Sequence, residues 1–236
     1  MIHNLVLLLM APVFIAQGRY VRRITPKLDE ASGPRCGSVG HGKMLRILLI
    51  GDSAAAGVGA ADQSQALSGH LVNELCNHFK LEWKLHAKSG STTKETRFSL
   101  AHHPKQDYDI VVISLGVNDV TKPLSSIRWI RQQQALVAQI RHHFSTQQII
   151  LTKIPPMEKF PALPHPLRWY LGSKAKVFNR QLARWTATQS DCELIDINFR
   201  LKPEQMAVDG FHPGPEIYQF WGKTIAKVIK ARWCSD

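Results

Sequence analysis

Three residues of this chain have the types and spacing to turn a hydroxyl into a nucleophile: Ser53, Asp209 and His212. A serine hydroxyl is protonated at neutral pH and attacks a carbonyl only when a base removes its proton as it reacts. A histidine held by a carboxylate is the usual base, and Asp209-Gly210-Phe211-His212 sets that pair with two residues between them. The serine stands in Gly51-Asp52-Ser53, directly after the apolar run Ile47-Leu48-Leu49-Ile50, and Ala54, Ala55, Ala56 and Gly57 leave room for a substrate beside it. Charge that develops on the attacked oxygen needs hydrogen-bond donors. Candidates are the Ser53 N–H, the N–H of Gly90, which a substrate can approach closely, and the side-chain amide of Asn118. Taken singly, these are a helix cap, a turn glycine and another cap. Together they point to ester hydrolysis.

Positioning such residues requires a scaffold that brings distant segments to one rim. Strand candidates are Leu45–Ile50, Glu82–Ala87, Asp109–Leu115, Gln148–Lys153 and Glu193–Ile197. The first, third and fourth are near-continuous runs of Ile, Leu and Val, as expected of strands buried on both faces of a parallel sheet. Helical patterns lie between them at Ser64–Phe79, Ser125–Phe144 and Gly172–Ala187, and a last helix is expected from about Pro215 to Ala231. In the first, Leu67, Leu71, Leu75 and Phe79 form one apolar stripe. Five strands alternating with helices predict a doubly wound α/β domain. Ligands of such sheets bind beyond the carboxyl ends of the strands, where strand order reverses. Ser53, the Ser89–Thr93 stretch and Gly116-Val117-Asn118-Asp119 each follow a strand, and Asp209 and His212 precede the last helix.

These blocks, in this order, resemble the SGNH/GDSL hydrolase superfamily. Gly51-Asp52-Ser53 is similar to its first block, although Ala54 replaces the leucine of the short name. Gly90 matches the second, Gly116-Val117-Asn118-Asp119 the third and Asp209-Gly210-Phe211-His212 the fifth, over a span from about Leu45 to Cys234. In the second block Ser89 or Ser91 could shift the register. The resemblance implies a three-layer α/β/α, flavodoxin-like fold with a five-stranded parallel sheet. It also implies cofactor-free and metal-free hydrolysis of esters or thioesters through an acyl-enzyme. Ser53, Asp209 and His212 would be the triad, and Ser53, Gly90 and Asn118 the oxyanion donors. The stretch Gly18–Gly37 also resembles a bacterial subgroup of these hydrolases with apolar N-termini.

Rival chemistries fit less well. The α/β-hydrolase elbow GxSxG is missing because Ala55 holds the second glycine position. Ser173-Lys174-Ala175-Lys176 fits SxxK without companion motifs, and Gly222-Lys223-Thr224 lacks the upstream glycine of a phosphate-binding loop. The pairs His102-His103 and His142-His143 read as surface residues rather than metal ligands. Four scattered cysteines, Cys36, Cys76, Cys192 and Cys234, read as reduced packing thiols.

The chain divides by composition into an apolar segment at 1–17, a basic linker at 18–43 rich in Pro and Gly, and the hydrolase domain at 44–236. The apolar run Leu5–Ala16 is twelve residues long, short of the ~20 that a spanning helix needs. From Gly18 to Arg46 there are seven Lys or Arg against two acids, and the whole chain has net charge +12. These features suggest a monotopic anchor on an anionic membrane surface, with packing of the helix on the protein's own body as the alternative. Positive charge on that flank favours the cytoplasm or the cytoplasmic face of a membrane, with a periplasmic or secreted location as the alternative.

The segment Pro155–Tyr170 holds five prolines with several large apolar residues, and is the expected specificity element, with Met157, Phe160 and Trp169 as substrate-binding candidates. The expected substrate is an acyl ester, a lipid or lysophospholipid in particular; carbohydrate O-acetyl esters or thioesters are alternatives. A non-catalytic basic protein binding anionic lipid or nucleic acid is the reading from a different class. It rests on charge alone, and no nucleic-acid motif supports it, so nucleic acid is not an expected partner.

Overall fold

The computed structural model describes residues 2–197 and 202–234, leaving 198–201 and the last two residues of the 44–236 unit outside. One sheet is built from β1 (Cys36–Val39), β2 (Met44–Gly51), β3 (Lys80–Ala87), β4 (Ile110–Ser114), β5 (Gln148–Thr152) and β6 (Cys192–Ile195), in the order β1-β3-β2-β4-β5-β6. All neighbours run parallel except the antiparallel pair β1–β3. Helices α1 (Ile2–Ile24), α2 (Leu67–Leu75), α3 (Thr93–Leu100), α4 (Val117–Thr121), α5 (Ser126–Phe144), α6 (Leu167–Thr186) and α7 (Pro215–Trp233) surround it.

The two-residue period of a strand divides the central strand between two cores. Leu45, Ile47 and Leu49 of β2 face α2 and α7, among Leu71, Leu75, Ile225 and Ile229. Leu48 and Ile50 face the other way and join Val111, Leu136, Ile140, Phe178 and Leu182 under α5 and α6. Every residue of β4 and β5 is buried, which is why Ile110–Ile113 and Ile149–Leu151 are unbroken apolar runs. The result is the expected three-layer α/β/α arrangement.

The sheet has six strands rather than five. The additional one, β1, lies in the stretch read as a linker, and all four of its residues are exposed. It carries no apolar alternation to betray it; it forms because β3 would otherwise leave a bare edge. Gly40, at φ +85°, turns the chain into β2 so closely that a Cβ there would sit 2.3 Å from Phe79 O. Helix α3 was also unexpected, although Thr92 and Glu95 cap it reciprocally: Thr92 Oγ1 accepts from Glu95 N at 3.3 Å and Glu95 Oε2 from Thr92 N at 2.8 Å. That is the S/T-x-x-E signature of a helix start.

Helix α1 runs across the boundary drawn at residue 17. Phe14 is buried and stacks on Tyr170 with ring centroids 4.6 Å apart. Gln17 donates through Nε2 to His165 O (2.6 Å) and accepts from Leu167 N (3.1 Å). Among the described residues, no helix is long and apolar enough to cross a membrane. His103, read above as a surface residue, is buried beside Tyr108 and Phe144. Cys192 opens β6 from a buried position where desolvation pushes its thiol up to about 12, so it packs as a thiol.

Strand order reverses between β2 and β4, the two strands at the middle of the parallel part. The turns leaving their carboxyl ends carry Ser53 and Asn118.

Candidate active site

At the end of β2, Gly51 leaves no space for a side chain: a Cβ there would lie 2.3 Å from Ala55 Cβ and 2.8 Å from Ser114 O. The chain turns at once. Ala56 N–H donates to Asp52 O (2.9 Å) and Val58 N–H to Ser53 O (3.0 Å). The Ser53 N–H has no acceptor among the described residues.

On the other side, the loop before α7 is clipped by Ala207 N–H donating to His212 O at 2.9 Å, and Gly210 takes a left-handed φ of +63°. His212 Nε2 stands 2.9 Å from Ser53 Oγ, and its Nδ1 stands 2.5 Å from Asp209 Oδ2. Asp209 Oδ1 accepts from the backbone N–H of Phe211 (2.9 Å) and of His212 (3.0 Å). Asp209 is only 5% exposed. Burial alone would raise its pKa, but bonds from the imidazole and two backbone amides outweigh it and hold the carboxyl below its ordinary value. A carboxylate that only accepts fixes the proton on Nδ1, so the Nε2 lone pair faces the serine hydroxyl.

Asn118 stands at the start of α4, entered through Gly116 at φ +133°, where a Cβ would lie 2.6 Å from Ile154 Cγ1. Its side-chain nitrogen lies 3.2 Å from Asp52 Oδ2 and 3.1 Å from Ser91 O. The loop after β3 therefore meets Asn118 through Ser91. Gly90, at φ +81°, has open space around its Cα and borders a separate polar cleft with Arg35, His86 and Lys88. The structure thus joins Ser53, His212 and Asp209 in one hydrogen-bonded chain, sets Asn118 one residue's contact away through Asp52, and leaves Gly90 on the neighbouring cleft.

Two carboxyls beneath the site stand in the motif blocks but were given no role from the sequence. Asp52 is 3% exposed; burial pushes it up to about 7, against a bond from Ala54 N–H and the nearby His212. Asp119 accepts from Thr93 N (3.1 Å) and Thr93 Oγ1 (3.0 Å), and Gln133 Nε2 donates to that same Oγ1 at 2.9 Å. Buried Lys174 donates to Val120 O at 2.9 Å and to Lys122 O, gripping the far end of α4. The available signal was an acid set immediately against each motif residue, Asp52 before Ser53 and Asp119 after Asn118.

A largely apolar cavity of about 80 Å³ opens beside Ser53 and His212, with Leu115, Val117, Ile154, Phe160, Phe211, Ile217 and Trp221 among its walls. Of the three substrate candidates, Phe160 lines it. Met157 is fully buried in the core beneath, and Trp169, 49% exposed on α6, points elsewhere. Among the described residues, no group of three or more His, Cys, Asp or Glu could hold a metal ion.

Residues 49–220 match the model of the GDSL-like lipase/acylhydrolase family. No curated protein matches the chain. Among solved structures, a lipolytic protein of the G-D-S-L family from Veillonella parvula is similar with TM-score 0.64 and 13% identity, over 79% of this chain and 98% of that one. A carbohydrate acetylesterase from Sinorhizobium meliloti is similar with TM-score 0.61 and 18% identity, over 79% and 99%. An aryl esterase from M. smegmatis, in an inhibitor-bound form, gives TM-score 0.60 and 18% identity, over 79% and 99%.

Proposed function

The chain belongs to the GDSL-like lipase/acylhydrolase family, and we propose that within it this protein is a serine esterase working through a Ser53–His212–Asp209 triad. The observation that carries this reading is the 2.9 Å approach of His212 Nε2 to Ser53 Oγ, continued to Asp209. As Oγ bonds to the substrate carbonyl carbon, Nε2 takes the hydroxyl proton and the C=O electron pair moves onto oxygen. The unengaged Ser53 N–H and the Asn118 amide are the donors for that oxyanion, each worth ~3 kcal/mol in the transition state. Collapse expels the alcohol, which leaves with the proton from His212. Water then repeats the sequence on the acyl-enzyme.

The acyl group is short. A single water needs about 10–15 Å³ by the same measure, so a cavity of about 80 Å³ receives an acetyl-to-butyryl group rather than a fatty acyl chain. A short acyl group suits a carbohydrate O-acetyl ester, in keeping with the acetylesterase among similar structures. The test is labelling with a small fluorophosphonate, alongside turnover of p-nitrophenyl esters. Ser53 should carry the label, and Ser53→Ala should lose both label and turnover; full activity in that variant would remove the reading.

A second reading, a lipid ester met at an anionic membrane surface, is favoured by α1. Around the buried Phe14 it exposes Leu9, Val13 and Ile15, and it ends in exposed Arg19, Arg22 and Arg23 with no acidic residue along its length. Exposed apolar side chains beside cations suit the interface of an anionic bilayer. Co-sedimentation of the full chain with anionic vesicles, weakened by salt and missing with neutral ones, is the expected outcome. Equal recovery in the supernatant with both would rule it out.

A further inference from the structure

We propose that Asp52 is a positioning residue for this reaction, holding and aiming the side-chain amide of Asn118. The inference rests on the serine-esterase reading, in which Asn118 donates to the oxyanion.

Asn118 has few restraints of its own. Its side chain bonds only to Asp52 Oδ2 (3.2 Å) and Ser91 O (3.1 Å) among the described residues. Those two acceptors occupy both amide hydrogens in the resting site. Both bonds are longer than the ~2.7–2.9 Å of a tight charge-assisted contact, so a hydrogen can be shared with a substrate oxygen as negative charge grows there. Asp52 cannot swing away. Its N–H donates to Ser114 O at 3.2 Å, and its Oδ1 accepts from Ala54 N–H at 3.1 Å. One carboxylate thus shapes the turn that frees the Ser53 N–H and fixes the plane of the second donor.

The chemistry needs a carboxylate at this place. If Asn stood at 52 with its oxygen kept by Ala54 N–H, its NH₂ would face the NH₂ of Asn118, donor against donor. A proton on Oδ2 would have the same effect. Asp52 is faced by His212, which favours the carboxylate whenever the imidazole takes up a proton, and by Asp119, which opposes it; the buried Tyr218 phenol also feels its charge. With burial dominant, Asp52 titrates near 7, so the grip on Asn118 loosens as pH falls through that value.

The experiment is a double-mutant cycle on the full chain with p-nitrophenyl acetate, reading kcat and KM separately with a melting curve for each variant. Asn118→Ala should lower kcat on the order of 100-fold with KM little changed. Asp52→Asn should lower kcat about tenfold, and adding it to Asn118→Ala should cost less than about twofold more, because coupled residues do not add. A full tenfold repeated in the double variant would show that Asp52 acts independently and overturn the proposal. An Asn118→Ala variant with undiminished kcat would instead remove the oxyanion assignment, and the proposal with it. Should Asp52→Asn fail to fold, the Asn118 side-chain amide resonance of the unaltered protein decides. Protection of its two protons from solvent exchange supports the grip, and exchange at the rate of a free amide refutes it.

Discussion

Replacing Asp209 by Asn tests the role of the buried carboxylate with almost no change in shape. Asp209 Oδ1 holds two backbone amides, at 2.9 and 3.0 Å, whereas Oδ2 holds one imidazole nitrogen at 2.5 Å. An asparagine has one acceptor oxygen. Turned toward the backbone it satisfies two donors; turned toward His212 it abandons both, and each buried unpaired donor costs about 1–3 kcal/mol. The oxygen therefore stays with the backbone, and the NH₂ faces Nδ1. The imidazole answers by moving its proton to Nε2, which then presents N–H rather than a lone pair to Ser53 Oγ. With general-base catalysis lost and the fold intact, kcat should fall by about 10³–10⁴-fold. At 1.36 kcal/mol per decade that is roughly 4–5.5 kcal/mol of barrier. KM for p-nitrophenyl acetate should change little, because no substrate contact is altered. Initial rates across substrate concentration, beside thermal melts of both proteins, provide the measurement. A loss below tenfold in a variant that melts with the parent would refute the triad assignment of Asp209.

Further outcomes concern stability and specificity. Gly116→Ala places a Cβ 2.6 Å from Ile154 Cγ1 at φ +133°, and should cost about 1–3 kcal/mol in denaturant titration; an unchanged midpoint would contradict the packing described. The two site aspartates should give opposite acid responses. Asp209, depressed in the folded state, contributes stability above the unfolded value of about 3.9, lost as pH falls through its folded pKa. Asp52, raised to about 7, contributes stability that is full below about 3.9 and lost as pH rises to its folded pKa. Asp52→Asn should therefore gain stability relative to the parent between those values, and a constant difference would count against the burial argument. Trp221→Phe, which removes part of a cavity wall and its bond to Thr152 Oγ1 (3.2 Å), should raise kcat/KM for butyrate and longer esters relative to acetate. A chain-length profile identical to the parent's would place the acyl group elsewhere.

The parallel strands and long helices were readable because their residues answer to strong, local rules. Ile and Val runs such as Ile110–Ser114 tolerate no solvent, and the four-residue repeat of Leu67, Leu71 and Leu75 admits one buried face. What escaped reading depends on context. Strand β1 is exposed at each position and exists because of a neighbour's edge. The stretch 64–79 reads as one helix, yet the regular part is Leu67–Leu75 after a short 3₁₀ turn at Gln63–Gln65. The residues proposed as a triad were findable because serine, histidine and aspartate in such an order are chemically distinctive. Asp52 was not, since an aspartate beside a serine says nothing about burial until a sheet closes over it. The cavity walls were least accessible: Leu115, Ile217 and Trp221 look like ordinary core residues, and only tertiary packing decides that they face a void.

Gln17 is bonded at once to His165 and Leu167, at the foot of the same proline-rich loop whose Phe160 borders the cavity and meets Phe211 edge-on at 5.2 Å. The leading helix and the cavity beside Ser53 are thus two ends of one brace. Shortening the protein to remove its greasy beginning would bare Tyr170, untie the loop, and change which acyl groups are accepted. Catalytic preferences measured on a trimmed version would describe the trimming as much as the enzyme.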